Sequence, residues 1–324
     1  MALIIDTRTE PDRALAIACE TLGEGLPVAI PTETVYGLAA DATNPDAISR
    51  IYEMKGRPRF NPLICHVADF AMADAHVTFD PLSRTLAEAF WPGPLTLILP
   101  IKPESSVHPL ASAGLDTLGI RMPDGFSRQV IERFGKPLAA PSANTSGKIS
   151  PTSAAHVEAD LGDKLALILD AGSAEIGLES TIIKVEGDEI RLLRPGGLDV
   201  ADIETLTGKK IARPESAGAV IEAPGMLASH YAPGAAVRLN ATDVTPGEAL
   251  IRFGGKPLPG EENAAIILDL SPSANLREAA ANLFAFMKHA DASGARTIAF
   301  GTIPNEGLGE AILDRIERAA APRE

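Results

Sequence analysis

Several short polar segments carry most of the residues able to do chemistry in this 324-residue chain. The segment 51–61, IYEMKGRPRFN, places Lys55, Arg57 and Arg59 on alternate positions around Gly56 and Pro58. Alternate residues of an extended chain point the same way, so the three cations can converge on one target. A polyphosphate suits a Lys point charge beside planar Arg forks. Taken alone, the same run reads more readily as a solvated basic turn. The segment 140–150, APSANTSGKIS, sets Ser142, Asn144, Thr145, Ser146 and Ser150 directly after an apolar strand. Open α/β sheets collect ligands there, although Ser, Asn and Gly are also ordinary turn residues. Thr32 and Thr34 share one side of the segment PTETVYGLAAD at 31–41. Arg121 ends the apolar run in LDTLGIRMP; once buried it needs an anion, either a ligand carboxylate or an internal one. Ser180 in LESTII and Arg194 before Pro195 and Gly196 repeat the pattern of a polar group at a strand end.

The familiar alternatives are missing. There is no GxxxxGKS/T, since Gly147-Lys148 and Gly255-Lys256 lack the remainder of it, and there is no GxGxxG. Cys19 and Cys65 form no CxxC pair, and the six histidines have no metal-ligand spacing, so no protein-held metal is expected and both thiols are expected to be reduced. The net charge of −14 argues against a dedicated nucleic-acid binder and against stable RNA binding, while leaving room for a local basic pocket. The N-terminus lacks a signal-peptide pattern, and no run approaches the ~18–20 apolar residues that span a bilayer. A cytoplasmic protein without membrane association is expected.

Pro11 at a first helical position and a capping-box pattern of Thr9 with Asp12 predict a helix carrying Ala14, Leu15, Ala18 and Leu22 on one side. Strands are predicted at 27–31, 63–67, 95–99, 119–121, 138–141, 165–170, 180–185 and 190–193, and helices at 45–54, 82–90, 127–134 and 154–161. Together they make one α/β domain with a mixed sheet over 1–205. Residues 206–236, with Gly208, Pro214, Gly218, Pro224, Gly225, Pro233 and Gly234, have little periodicity and read as a linker. Beyond it, strands at 237–239, 249–253, 265–270 and 297–300 alternate with helices at 276–289 and 311–319. That alternation predicts a smaller parallel-sheet domain over 237–324.

The segments PTETVYGLAADA, KGRPRFNPL, WPGPLTLIL, GIRMP, APSANTSG, ESTII and LRPGG resemble, in order, those of the YrdC-like threonylcarbamoyl-AMP synthases, over most of residues 12–200. From ASHYAPG at 228–234 onward the chain resembles the extra domain of that family's long, two-domain form. The resemblance implies a twisted mixed-sheet synthase domain with a concave, positively charged pocket, followed by a small Rossmann-like α/β domain. It implies that L-threonine, bicarbonate and ATP are joined into threonylcarbamoyl-AMP with release of pyrophosphate, for modification of tRNA next to the anticodon. The product would pass to a tRNA threonylcarbamoyl transferase complex. On this sequence, Lys55 and Arg57 would act on the ATP phosphates, with Asn61 beside them. Thr34, His66, Arg121 and Ser180 would hold threonine. Thr117, Ser142, Asn144, Ser150 and Arg194 would line the nucleotide, and Tyr231 would reach back from the linker as a lid whose ring covers a ligand without supporting the fold. Mg2+ would arrive with ATP, since the chain offers no carboxylate cage. Two other readings are an RNA-binding or ribosome-assembly factor, which the acidic balance opposes, and a carbamoyl transferase like the hydrogenase-maturation proteins. Those proteins carry acylphosphatase and CxxC zinc modules that this chain lacks.

Overall fold

The computed structural model describes residues 2–213, 222–226 and 229–322. β1 (Leu3–Asp6) leads into α1 (Pro11–Gly23). Pro11 sits in the first turn, where its missing N–H leaves nothing unsatisfied. The expected cap by Thr9 does not form. Glu10 precedes the helix without a side-chain cap bond, and the Thr9 hydroxyl donates instead to Asp6 O at 3.4 Å, closing the turn after β1. β2 (Val28–Ile30) and β3 (Gly37–Asp41) form an antiparallel pair, so half of the polar segment 31–41 is strand. α2 (Pro45–Lys55) is capped by the Asn44 side chain and stopped by Gly56 in the left-handed conformation at φ 59°.

The chain continues through β4 (Ile64–His66), α3 (Phe70–His76), α4 (Pro81–Phe90), β5 (Leu95–Pro100), β6 (Thr117–Arg121) and α5 (Phe126–Phe134). β7 (Leu138–Ala139), α6 (Ala154–Leu161), β8 (Leu167–Asp170), β9 (Thr181–Glu186), β10 (Glu189–Arg194), α7 (Val200–Thr207) and β11 (Ile211–Ala212) complete the first unit. Its strands form one 11-stranded mixed sheet in the order β1-β8-β2-β3-β7-β4-β6-β5-β9-β10-β11. Both faces are covered, as the alternation along its strands requires. Val28 and Ile30 enter the cluster under α1 and α5, whereas Ala29 between them enters the larger core on the other face. Leu167, Ile168 and Leu169 of β8 divide in the same way.

The second unit holds β12 (Ala236–Arg238), β13 (Ala249–Arg252), β14 (Ile266–Asp269), α8 (Leu276–Ala292), β15 (Thr297–Phe300) and α9 (Leu308–Ala320). Its sheet has the order β12-β15-β13-β14 and every pair is parallel, the small parallel α/β unit that strand–helix alternation predicts. The segment 206–236 is less of a linker than its Gly and Pro content suggests. α7 runs through Thr207, and β11 still pairs with β10, so the large sheet extends to Ala212. Pro214 and Gly218 of that segment, and Ala228 of ASHYAPG, lie outside the described residues. The two units share a core. Phe284, Met287, Ile312 and Ile316 of α8 and α9 pack with Val35, Ile149 and Leu178, three residues from loops of the first unit.

Candidate active site

Mixed topology brings unlike strand ends to one edge. β5 runs antiparallel to β6 and parallel to β9, and β9 runs antiparallel to β10. The last residue of β6, Arg121, the last of β10, Arg194, and the residues just before β9, Glu179 and Ser180, therefore meet. With the loop after β2, the end of β4, the loop after β7 and Pro224, Gly225, His230 and Tyr231 they line a common cleft.

Arg121 is buried. Its Nη1 donates to Thr34 Oγ1 at 2.9 Å, its Nε to Gly93 O at 3.1 Å, and its Nη2 to Glu33 Oε1 at 2.5 Å. The internal ion pair weighed above thus exists, but three of the five N–H groups account for these bonds and two are left for a ligand. Arg194 donates to Ser180 O from Nε at 3.1 Å and from Nη2 at 2.9 Å, and Nη2 also reaches Ser180 Oγ at 3.2 Å. Ser180 Oγ lies 2.8 Å from Thr96 Oγ1. Arg57 donates from Nη2 to Asn61 Oδ1 and to Pro62 O, both at 2.7 Å, so the Asn61 amide aims the guanidinium. Burial lowers the Arg57 pKa to about 10 and, with the like charge of Arg315, also lowers that of Arg194.

Lys55 does not line this cleft. Its ammonium is buried behind the loop after β7 and donates to Ser142 O and Asn144 O, both at 2.5 Å. Burial, then the Arg57 charge, pushes its pKa well down. The convergence of Lys55, Arg57 and Arg59 fails because the segment is not extended: Lys55 ends α2, Gly56 turns left-handed, and Arg59 is exposed. Among the described residues, Lys55, Arg57 and Arg194 form no salt bridge within 4.0 Å. Of these, Arg57 and Arg194 line the cleft, and buried guanidiniums without a paired carboxylate are costly unless a ligand supplies the negative charge.

Of the other sequence-predicted residues, Thr34, His66, Ser142, Ser180 and Tyr231 line the cleft with Arg57, Arg121 and Arg194. Asn61, Asn144 and Ser150 stand one layer back, on Arg57, on the 145–148 turn and on Glu179 respectively. Thr117 is not brought in: it begins the strand that Arg121 ends, about 13 Å away at the rise of a strand. Buried polar atoms without partners cluster here. They are His66 Nδ1, Asn144 Oδ1, His230 Nδ1 and the Tyr231 hydroxyl; outside this group only Arg315 Nη2 joins them among the described residues. Native interiors satisfy nearly all such atoms, so His66, His230 and Tyr231, which line the cleft, hold bonding capacity open to a ligand or water.

Tyr231 has φ 61°, stacks on Phe284 of α8 at 5.5 Å and lies 4.1 Å from the His230 ring, while the following Ala232 N–H donates to Gly147 O at 2.8 Å. The residue lines the cleft as a lid would, but its ring is also buried in the second core, so it does support the fold. Sequence reasoning passed over Glu33, Glu179 and Arg315. Glu179 precedes Ser180 within LESTII, and Arg315 is a charge on an otherwise apolar helix face, a signal that was available. Among the described residues no group of three His, Cys, Asp or Glu could hold a metal ion, and no helix is long and apolar enough to cross a membrane.

Comparison with known proteins covers the whole chain. The Sua5/YciO/YrdC family model, described as "Telomere recombination", matches residues 20–196, and the model described as "Threonylcarbamoyl-AMP synthase, C-terminal domain" matches 198–321. A threonylcarbamoyl-AMP synthase of Bacillus subtilis is 39% identical over 99% of this chain and 96% of its own length. One from Pyrococcus abyssi is 39% identical over 100% of this chain and 99% of its own. The crystal structure of P. abyssi Sua5 complexed with L-threonine superposes with a TM-score of 0.88 at 36% identity, covering 99% of this chain and 97% of the other.

Proposed function

Because the chain belongs to the Sua5/YrdC family of threonylcarbamoyl-AMP synthases and is an enzyme of tRNA modification, we propose that its cleft joins L-threonine, bicarbonate-derived carbon dioxide and ATP. The observation that carries this reading is the pair of buried guanidiniums, Arg57 and Arg194, without a carboxylate in salt-bridge range among the described residues, facing a cleft that His66, His230 and Tyr231 line with unpartnered polar atoms.

Arg121 takes the threonine carboxylate with its two remaining N–H groups, and Thr34 takes a further polar group of the amino acid. His66 stays neutral, since burial and the Arg121 charge hold its pKa well below the ordinary range, so its Nδ1 can serve as an acceptor toward the amine. The amine adds to carbon dioxide and loses a proton, giving a carbamate. A carbamate oxygen then attacks the α-phosphorus as the bond to the bridging oxygen breaks and pyrophosphate leaves with the electron pair. Arg57 and Arg194 neutralise the polyphosphate as charge moves onto the leaving group, which is where phosphoryl chemistry needs help. Lys55 fixes the Ser142–Asn144 backbone that forms one wall. Ser180 lies between Arg194 and Thr96 and is set to accept or donate at the junction of the two substrates.

The residues fit a magnesium ion only as a companion of the nucleotide. Glu179, the carboxylate that lines the cleft, already accepts from Ser150 and Arg315. Mg2+ bound to ATP would add neutralisation of the phosphates. The product is handed on to a transferase complex acting on tRNA. Pyrophosphate release from ATP tests the reading: it is expected only when threonine and bicarbonate are both present, and equal release with either omitted sinks it.

A further inference from the structure

α9 carries a charged residue on its apolar face. Arg315 lies among Ile312, Ile316 and Ala319, all buried, and is itself 0% exposed. A guanidinium leaves water only for good partners, and the main ones here belong to the other unit. Its Nε donates to Glu179 Oε2 at 2.9 Å, and the other carboxylate oxygen accepts from Ser150 Oγ at 2.5 Å. Its Cζ lies 5.1 Å from the centre of the Tyr231 ring, and its Nη1 donates to Asp314 Oδ2 at 2.6 Å. Glu179 and Tyr231 both line the cleft, whereas Arg315 does not.

This arrangement solves two problems at once. Glu179 is buried, and burial alone would raise its pKa, yet the Arg315 and Arg194 charges hold it below its ordinary value, so it is ionised. A bare carboxylate in the wall of a cleft built for a polyanion would repel its ligand. Tyr231 at φ 61° has a backbone conformation that a bulky residue keeps only when its surroundings over-determine it. One guanidinium faces both: it cancels the carboxylate and packs on the ring.

We infer that Arg315, supplied by the C-terminal unit, is a positioning residue of the synthase site, cancelling and aiming Glu179 and clamping Tyr231 over the cleft. This rests on the synthase reading above. It makes the second unit part of the nucleotide site rather than a separate module.

The test uses the full-length protein, wild type beside Arg315→Met, Glu179→Gln and the double variant. Initial rates give KM for ATP and for threonine, and calorimetry with a non-hydrolysable ATP analogue gives affinity without turnover. Arg315→Met strands the Glu179 charge, so KM for ATP is expected to rise about ten-fold or more, with that for threonine changing less. Adding Glu179→Gln removes the stranded charge and is expected to recover part of the ATP affinity, which a merely structural Arg315 would not allow. An ATP KM within about two-fold of wild type, or a double variant as poor as Arg315→Met, overturns the inference. Should Arg315→Met fail to fold, Arg315→Lys replaces it: one ammonium cannot both pair with Glu179 and cover the ring, so a raised ATP KM is again expected, and an unchanged one is fatal. A wild-type protein without threonine-dependent pyrophosphate release takes down the synthase reading and this inference with it. A wild-type enzyme that turns over, beside unaffected variants, removes only the role of Arg315.

Discussion

Buried charges in this molecule come in two kinds. Arg121 with Glu33 and Arg315 with Glu179 are paired across the interior, Lys55 is taken up by two loop carbonyls, and Arg57 and Arg194 rest on carbonyls and an amide while facing the cleft. The histidines obey the same economy. Burial holds His66 well below its ordinary pKa, and it holds His230 at about 3, so both are neutral in the folded protein near neutral pH. The sign of the consequence is fixed. Between the unfolded pKa near ~6.5 and the depressed folded values, the unfolded chain binds more protons, so stability falls as pH falls through that window. Each residue contributes a loss approaching about 1.4 kcal/mol per pH unit below ~6.5. Urea unfolding at pH 7 and pH 5 should show this loss, and His230→Gln should flatten the slope. An unchanged slope in that variant would mean that His230 is not buried uncharged.

At the scale of elements, the site is held by loops pressed against neighbours rather than by long strands. Gly177 has φ 74°, and a Cβ there would lie 2.6 Å from both Ala280 O and Ala281 Cα of α8. The loop carrying Leu178, Glu179 and Ser180 can approach α8 so closely only without a side chain. Gly196 plays the same part from the other side, where a Cβ would meet Glu179 O, Ser180 C and Thr181 N at 2.4 Å each. Gly177→Ala is therefore expected to cost about 3 kcal/mol in unfolding free energy, adding a backbone clash to left-handed strain. Gly187→Ala is the control, with φ 63° and open space around it, and should cost about 1 kcal/mol. Equal losses in chemical denaturation would show that the contact with α8 contributes nothing.

The whole molecule is organised around the shared core. Val35, Ile149 and Leu178 come from three loops around the site, and they bury themselves against α8 and α9 together with Tyr231. The lid and the fold are thus one structure. Tyr231→Ala should lower unfolding free energy by about 3 kcal/mol, the scale of emptying a buried aromatic site, and should weaken ATP binding as well. Tyr231→Phe should keep the stability, because the hydroxyl has no partner to lose. A thermal melt that does not move in Tyr231→Ala would return the ring to the role of a cover alone. A net charge of −14 is compatible with a site for polyanions because Arg57, Arg121 and Arg194 meet in one cleft whose single lining carboxylate among the described residues, Glu179, is paired with Arg315.

What the sequence alone determined is local or compositional. The α/β class, the parallel second unit and most strand and helix positions follow from periodicity and turn residues, because those signals lie within a few neighbouring residues. The polar segments at 31–41, 51–61, 140–150 and 178–183 were legible as a set for the same reason, as was the family resemblance they carry. Only the tertiary structure decided which of their side chains meet. Arg59 drops out because α2 ends in a left-handed glycine, Thr117 because it begins the strand that Arg121 ends, and Lys55 turns to carbonyls of a loop 87 residues along the chain. Glu33 finds Arg121 88 positions away, and Glu179 finds Arg315 at a separation of 136. Pairings at such distances are set by sheet order and by the packing of one unit on another, and no local pattern of residues encodes them.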